Sequence, residues 1–258
     1  MRIGFVGAGN MATGIARGLA AARGEPGAPE AMLFADAEPE RARKLAEEVG
    51  GEALESNREL AEASDLVVLA VKPDVLDAVS QDLEGAGTPI ISILAGTPLE
   101  RLRAALPGIE LVRVMPNLGA QLRQAVLCVA FPEELPADRE RVEEILGLLG
   151  EVIELDEDLI DAATALMGCS PGYLALFAEV LVKAGVDEGL TEDQAKRMVA
   201  QSMIATGGLL EHHEPAALKR AVASPGGMTE AGLEALEKRS FWETLEAAVD
   251  ASLERVRG

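Results

Sequence analysis

Gly4-Phe5-Val6-Gly7-Ala8-Gly9-Asn10-Met11-Ala12 decides how this chain folds. An apolar run from Ile3 to Val6 leads into glycines at 7 and 9, and Met11, Ile15 and Leu19 then mark one face of a helix. Strand, glycine turn and helix in that order form the context in which such a pattern points to a dinucleotide. Gly7 allows the tight turn, Gly9 lets the backbone approach a pyrophosphate, and Ala12 permits close packing of helix on strand. The segment from Gly7 through Ala8, Gly9 and Asn10 to Met11 therefore offers backbone amides and the positive end of a helix to phosphate. A glycine turn without a ligand has the same composition; the order of the elements favours the ligand.

Outward from this motif, short apolar runs alternate with helix-period stretches: Met32 to Ala35, Leu66 to Val71, Ile90 to Leu94, Leu111 to Met115, Val126 to Phe131 and Val152 to Leu155. Runs of this kind read as strands buried on both faces. Pro39 to Val49, Asp74 to Leu83 and Ala137 to Leu149 are amphipathic and long enough to carry crossovers. Residues 1–156 are expected to be a doubly wound, Rossmann-type α/β domain that binds a dinucleotide.

At the end of the second run stands Asp36, placed to accept from the adenosine ribose hydroxyls and to repel a 2′-phosphate. Arg41 and Arg43 lie a helical turn or two beyond, within reach of such a phosphate, and Asp36 fits equally well as a cap on the following helix. Both NAD and NADP remain open. Val71-Lys72-Pro73 and Ala95-Gly96-Thr97-Pro98 end two of the runs at the carboxyl edge, where ligands of open α/β sheets collect, and are expected to flank the nicotinamide. Ordinary turns use the same residue types.

The 258 residues are 48% hydrophobic and 26% charged, globular proportions that exclude a disordered or collagen-like chain. Twenty-three bases against 44 acids leave a net charge of -21, which repels phosphate backbones and anionic lipid, so neither nucleic acid nor a membrane is an expected partner. Cys128 and Cys169 lack metal-ligand spacing, and the adjacent His212 and His213 point different ways on a helix, so no metal site is expected. No uninterrupted apolar run approaches the roughly 18 residues of a membrane helix, and Met1 leads into a strand rather than a signal peptide. The cytoplasm is the expected location.

After Asp156 the β-branched runs stop and the chain turns rich in Ala, Leu and Glu, with helices predicted at 157–185, 191–211, 229–237 and 240–256. Residues 157–258 read as an all-helical domain for substrate and dimerisation, too apolar to be covered by one neighbouring domain. Gly168, Pro171 and Gly172 predict a kink or split in the first helix, and Thr191-Glu192-Asp193-Gln194 has capping-box spacing. Ser224-Pro225-Gly226-Gly227-Met228-Thr229 precedes the helical stretch from Glu230 to Glu237, so the amides of Gly226, Gly227 and Met228 are placed to hold a substrate carboxylate, with Ser224 and Thr229 as nearby hydroxyls. Thr229 fits a plain N-cap equally well; Gly232 three residues on means that no capping box engages its hydroxyl.

Taken together, Gly4 to Met11, Ala70-Val71-Lys72-Pro73, Arg113-Val114-Met115-Pro116-Asn117, Gly168-Cys169-Ser170-Pro171-Gly172-Tyr173 and Ser224 to Thr229 resemble pyrroline-5-carboxylate reductase, in that family's order and over almost the whole chain. The resemblance implies an oxidoreductase that reduces 1-pyrroline-5-carboxylate to L-proline with NADPH or NADH, and a homodimer that assembles further into rings. It also implies that Thr229 faces the imine nitrogen and that Ser224 with the Gly226 to Thr229 loop holds the carboxylate. On the cofactor side it implies that Asn57 contacts the adenosine, while Ile93, Leu94, Ala95 and Lys72 line the nicotinamide. Three departures stand out: Leu118-Gly119 after Met-Pro-Asn, Gly-Cys-Ser-Pro-Gly-Tyr at 168–173, and Met228 in place of a smaller residue. Leu118-Gly119 and Met228 bear on the size of the substrate pocket and leave reduction of another cyclic imine as one alternative; a non-catalytic dinucleotide-binding paralogue is the other. Retained Ser224 and Thr229 argue against the second.

Overall fold

The computed structural model describes residues 1–132 and 139–257. The chain divides into two compact units, Met1–Gly168 with the C-terminal residues from Arg255, and Cys169–Glu254.

The first unit is built on one eight-stranded sheet: β1 Arg2–Val6, β2 Ala31–Ala35, β3 Glu52–Ala53, β4 Leu66–Leu69, β5 Ile90–Ser92, β6 Leu111–Pro116, β7 Ala125–Ala130 and β8 Gly150–Glu154. Their spatial order is β3-β2-β1-β4-β5-β6-β7-β8, so the chain reverses direction across the sheet between β1 and β4. That crevice is where open α/β sheets take ligands. Every pairing is parallel except β6 with β7. Between the strands lie α1 Asn10–Ala21, α2 Pro39–Val49, α3 Asn57–Ala63, α4 Leu76–Leu83, α5 Leu99–Ala105 and α6 Arg139–Gly147, with α7 Ile160–Ala163 after β8. The Rossmann-type, mostly parallel sheet expected from the sequence is present.

Alternation along β1 and β2 divides the core between the two faces of the sheet. Ile3, Phe5 and Phe34 join Ile15 and Leu19 of α1 in one cluster, and Val6 and Leu33 join Leu69, Leu76 and Leu102 in the other. Phe5 and Phe34 stack with ring centroids 5.1 Å apart. Pro39 at the start of α2 and Gly50 at its end, the latter left-handed at φ 69°, set the bounds that the sequence predicts for that helix.

Several elements differ from expectation. Two strands stop early, β4 at Leu69 and β5 at Ser92, so Val71 to Pro73 and Ile93 to Ala95 lie in the carboxyl-edge connections. Ala137 and Asp138, which the sequence assigns to α6, lie outside the described residues. β7 runs antiparallel because only a 3₁₀ turn, Leu118–Leu122, connects it to β6, and no crossover helix intervenes. Arg123 closes that turn at φ 60°, donating from Nε to the Leu148 carbonyl at 2.9 Å and as a fork to Glu25 at 2.5 and 2.6 Å. Its guanidinium holds the Glu25 carboxyl below the usual range.

Arg113 is the buried cation of the sheet, 3% exposed in β6. It donates to Asp161 Oδ1 at 2.9 Å and approaches Glu157 Oε1 at 3.4 Å, and the same Glu157 oxygen accepts the Leu99 amide at 2.5 Å. One buried guanidinium thus ties β6 to the segment entering α7 and, through Glu157, to the start of α5.

The second unit is all-helical: α8 Ser170–Asp187, α9 Glu192–Leu210, α10 Pro215–Val222, α11 Met228–Glu237 and α12 Phe241–Arg257. The predicted break in the first helical stretch is a π-helical turn, Thr164–Gly168, ahead of α8. Thr191 makes the predicted capping box, accepting from the Gln194 amide at 3.2 Å while its own amide donates to the Gln194 side chain at 3.0 Å. Tyr173 anchors α8 to α12, with its hydroxyl 3.1 Å from the Ala248 carbonyl and 2.5 Å from Ser252 Oγ.

The helical run from Glu157 to Asp187 corrects one reading of the sequence. It is 31 residues long and apolar enough, by length and composition, to cross a membrane, although polar residues interrupt its apolar runs. Leu174, Leu176, Phe177 and Val180 are exposed on α8, and Met198 and Ile204 on α9. Apolar helical faces of this kind also suit an interface between two chains.

Candidate active site

At the tip of β1 the backbone is shaped for an anion. Gly7 takes φ 99°, its amide donates to the Ala35 carbonyl at 2.8 Å, and a Cβ there would lie 2.7 Å from the Ala70 carbonyl oxygen, so no side chain fits. Gly9 is different: a Cβ there meets nothing within 4 Å. The chain has no packing need for glycine at that position, and the space above it is open for a ligand. Gly9 is the N-cap of α1, and the first amide to bond back is that of Thr13, to the Gly9 carbonyl at 2.9 Å. The amides of Asn10, Met11 and Ala12 are left without intrahelical acceptors, and with the helix dipole they suit a pyrophosphate. Ala12 is buried against the sheet, as its small size allows.

Asp36, at the end of β2, accepts the Ala8 amide on Oδ2 at 2.7 Å and the Glu38 amide on Oδ1 at 2.8 Å. It thereby fastens the glycine turn to the connection that enters α2. Both arginines beyond it are paired, Arg41 with Glu38 at 2.8 Å and Arg43 with Glu40. Asn57 begins α3 and donates its side-chain amide to Asp82 at 2.9 Å. Lys72 is exposed and caps a 3₁₀ turn, Pro73–Val75, at the end of the β4 connection beyond Ala70 and Val71. After β5, Ala95 is exposed and Ile93 half-buried, whereas the Leu94 side chain is 1% exposed within the core. Any contact of Leu94 with a ligand would come from its backbone.

The turn into α11 belongs to the helical unit. Gly226 is left-handed at φ 71°, and a Cβ on Gly227 would lie 2.8 Å from the Ser224 carbonyl oxygen, so both glycines are required by the backbone. Gly227, not Thr229, is the N-cap. Thr229 sits one position inside the helix, exposed, and its hydroxyl makes no hydrogen bond among the described residues. The capping role open to it in the sequence is therefore excluded. Met228 is 94% exposed. Sequence reasoning missed Glu230, whose Oε2 accepts the Gly226 amide at 2.7 Å; a Glu three residues after the N-cap is the available signal, hidden when the cap is sought at Thr229 rather than at Gly227.

Of the departures from the family pattern, Gly119 has a local cause: a Cβ there would clash with the Gln124 carbonyl oxygen. Asn117 accepts the Gly119 amide at 3.1 Å and donates to the Met167 carbonyl at 3.2 Å, and Leu118 is exposed. Cys128 is buried in β7, and burial pushes its thiol up. Among the described residues no group of three His, Cys, Asp or Glu side chains is arranged to hold a metal.

Residues 157–258 match the family model for pyrroline-5-carboxylate reductase dimerisation, and residues 2–96 match that for NADP oxidoreductase, coenzyme F420-dependent. The chain is 35% identical to the pyrroline-5-carboxylate reductase of a Synechocystis species over 260 residues, 99% of this chain and 97% of the relative. The chain belongs to the pyrroline-5-carboxylate reductase family. The 1-pyrroline-5-carboxylate reductase of Streptococcus pyogenes matches with a TM-score of 0.90 at 32% identity, over 100% of this chain and 98% of that one. The Plasmodium falciparum pyrroline carboxylate reductase, solved with NADP bound, matches with a TM-score of 0.87 at 28% identity, over 100% and 97%. Membership makes this pyrroline-5-carboxylate reductase relative an NAD(P)-dependent oxidoreductase and a homodimer.

Proposed function

We propose that this chain reduces the carbon–nitrogen double bond of 1-pyrroline-5-carboxylate to L-proline, the last step of proline synthesis. The observation that carries this reading is the Ser224 to Thr229 turn, where a hydroxyl unused by the fold stands beside amides at the N-terminus of α11. In this assignment the amides of Gly226, Gly227, Met228 and Thr229, with Ser224, hold the substrate carboxylate, and Thr229 orients the imine nitrogen.

The cofactor's pyrophosphate is assigned to Gly7 through Met11 and its adenosine to Asp36 and Asn57. Its nicotinamide is assigned to Ala70 through Pro73 and to Ile93 through Ala95. When bound, the reduced nicotinamide supplies a hydride to the imine carbon; the π electron pair moves to nitrogen, which holds or takes one proton. A cyclic imine is basic enough to be partly protonated near neutral pH. The chain's work is thus to position it and neutralise its carboxylate, and a threonine hydroxyl is too weak an acid to be the sole proton source. Residues 1–156 serve the cofactor and 157–258 the substrate and the dimer, with assembly into rings of dimers in the cytoplasm.

A second reading, reduction of another cyclic imine, is favoured by the exposed Met228 within the substrate turn. Following NADH and NADPH oxidation with five- and six-membered cyclic imines, carboxylated at either carbon beside nitrogen, tests both. Turnover greatest with 1-pyrroline-5-carboxylate supports the proposal; none with any ring supports a non-catalytic protein.

A further inference from the structure

Asp36 and its neighbours carry an inference about which dinucleotide this chain takes, resting on the assignment of the adenosine to the end of β2. Family membership leaves NADH and NADPH both available; they differ by one phosphate on the adenosine ribose.

The Asp36 carboxylate is fixed by two backbone amides, that of Ala8 at 2.7 Å and that of Glu38 at 2.8 Å. A carboxylate has about four acceptor positions, so two remain for ribose hydroxyls, and its charge stays in place because the backbone holds it. Two residues on, Glu38 adds a second carboxylate to the same connection. The arginines nearest in sequence each already face an acid. Arg41 pairs with Glu38 at 2.8 Å and Arg43 pairs with Glu40, both across the exposed surface. The side chain of Ala37, between the two acids, offers a phosphate nothing.

We infer that the β2–α2 connection selects NADH over NADPH. Asp36 accepts from the ribose hydroxyls, and Asp36 and Glu38 together repel a 2′-phosphate. A 2′-phosphate drawing on Arg41 would have to share its guanidinium with Glu38, so the cation comes with an acid beside it.

Calorimetric titration of the purified dimer with NADH and with NADPH at low ionic strength tests this without reference to turnover. The wild-type protein should bind NADH at least about ten-fold more tightly. Glu38→Gln, an exposed change that frees Arg41, should narrow the ratio about three-fold, and Asp36→Asn with Glu38→Gln should narrow it ten-fold or more, mainly by tightening NADPH. Equal or tighter binding of NADPH by the wild type, or a ratio that Glu38→Gln leaves unmoved, overturns the inference alone. Failure of the folded protein to bind either nucleotide overturns it together with the cofactor assignment.

Discussion

The Gly226 amide donates to Glu230 Oε2 at 2.7 Å, so the turn assigned to the substrate carboxylate already holds a carboxylate of its own helix. A substrate using that amide must displace Glu230 and tolerate its charge. Glu230→Ala is therefore expected to lower KM for the imine roughly two- to ten-fold, the range of one exchanged hydrogen bond at about 0.5–1.5 kcal/mol. Steady-state kinetics decide it, and an unchanged or raised KM counts against a carboxylate at this amide.

Gly7 and Gly9 are expected to fail in different ways. Gly9→Val places a Cβ that meets no protein atom within 4 Å, so the variant should stay folded, with a loss of about 1 kcal/mol at the N-cap of α1, and should lose dinucleotide binding. Gly7→Ala forces a Cβ onto the Ala70 carbonyl at φ 99° and should cost about 1–3 kcal/mol of stability. Thermal melting and a nucleotide titration on the same samples separate the two roles; tight nucleotide binding by folded Gly9→Val would remove the pyrophosphate from this turn.

Because Gly227 caps α11, Thr229→Ala should leave stability within about 0.5 kcal/mol of wild type. Its kcat/KM is expected to fall roughly ten- to a hundred-fold, the loss of one hydrogen bond to a charged group at about 1.5–3 kcal/mol. Ser224→Ala should act more on substrate affinity than on kcat. Wild-type kinetics in Thr229→Ala would end its part in the reaction.

Around Arg113 the costs should be unequal. Its guanidinium is buried, whereas the Glu157 and Asp161 side chains keep 33% and 27% of their surface in water. Asp161→Ala leaves the buried cation with only the longer contact to Glu157 and should cost about 3 kcal/mol, while Arg113→Met leaves two acids that can hydrate and should cost less. Urea unfolding at neutral pH measures both, and equal losses would contradict this account of the triad.

The sheet was legible because most of its strands centre on short apolar runs, despite Arg113 in β6 and the acids of β8, and because α2 carries its own boundary marks, Pro39 and Gly50. β3 has only two residues, and α3 and α5 have seven each, too few for a periodicity to show. The reversal at β7 was hidden because a buried antiparallel strand has the same composition as a parallel one. Within the site, Gly7 and Gly9 were readable as a motif, but their different reasons for being glycine appear only when the surrounding atoms are known. Asp36 was readable as an acid at a strand end; that its neighbouring arginines face Glu38 and Glu40 was not, since spacing permits a pair without specifying which partner is chosen.

Gly18 of α1 packs so closely on the turn after β6 that a Cβ would collide with the Ala120 carbonyl, a contact between the 2–96 segment and residues more than twenty positions beyond its end. The pitch of α1 is thus set partly by Leu118–Leu122. The segment that looks like a portable cofactor cassette is not one: exchanged between relatives at residue 96, it would arrive without the surface against which its first helix is seated. Recombination within this family should therefore succeed at junctions that keep α1 and the turn after β6 from the same parent.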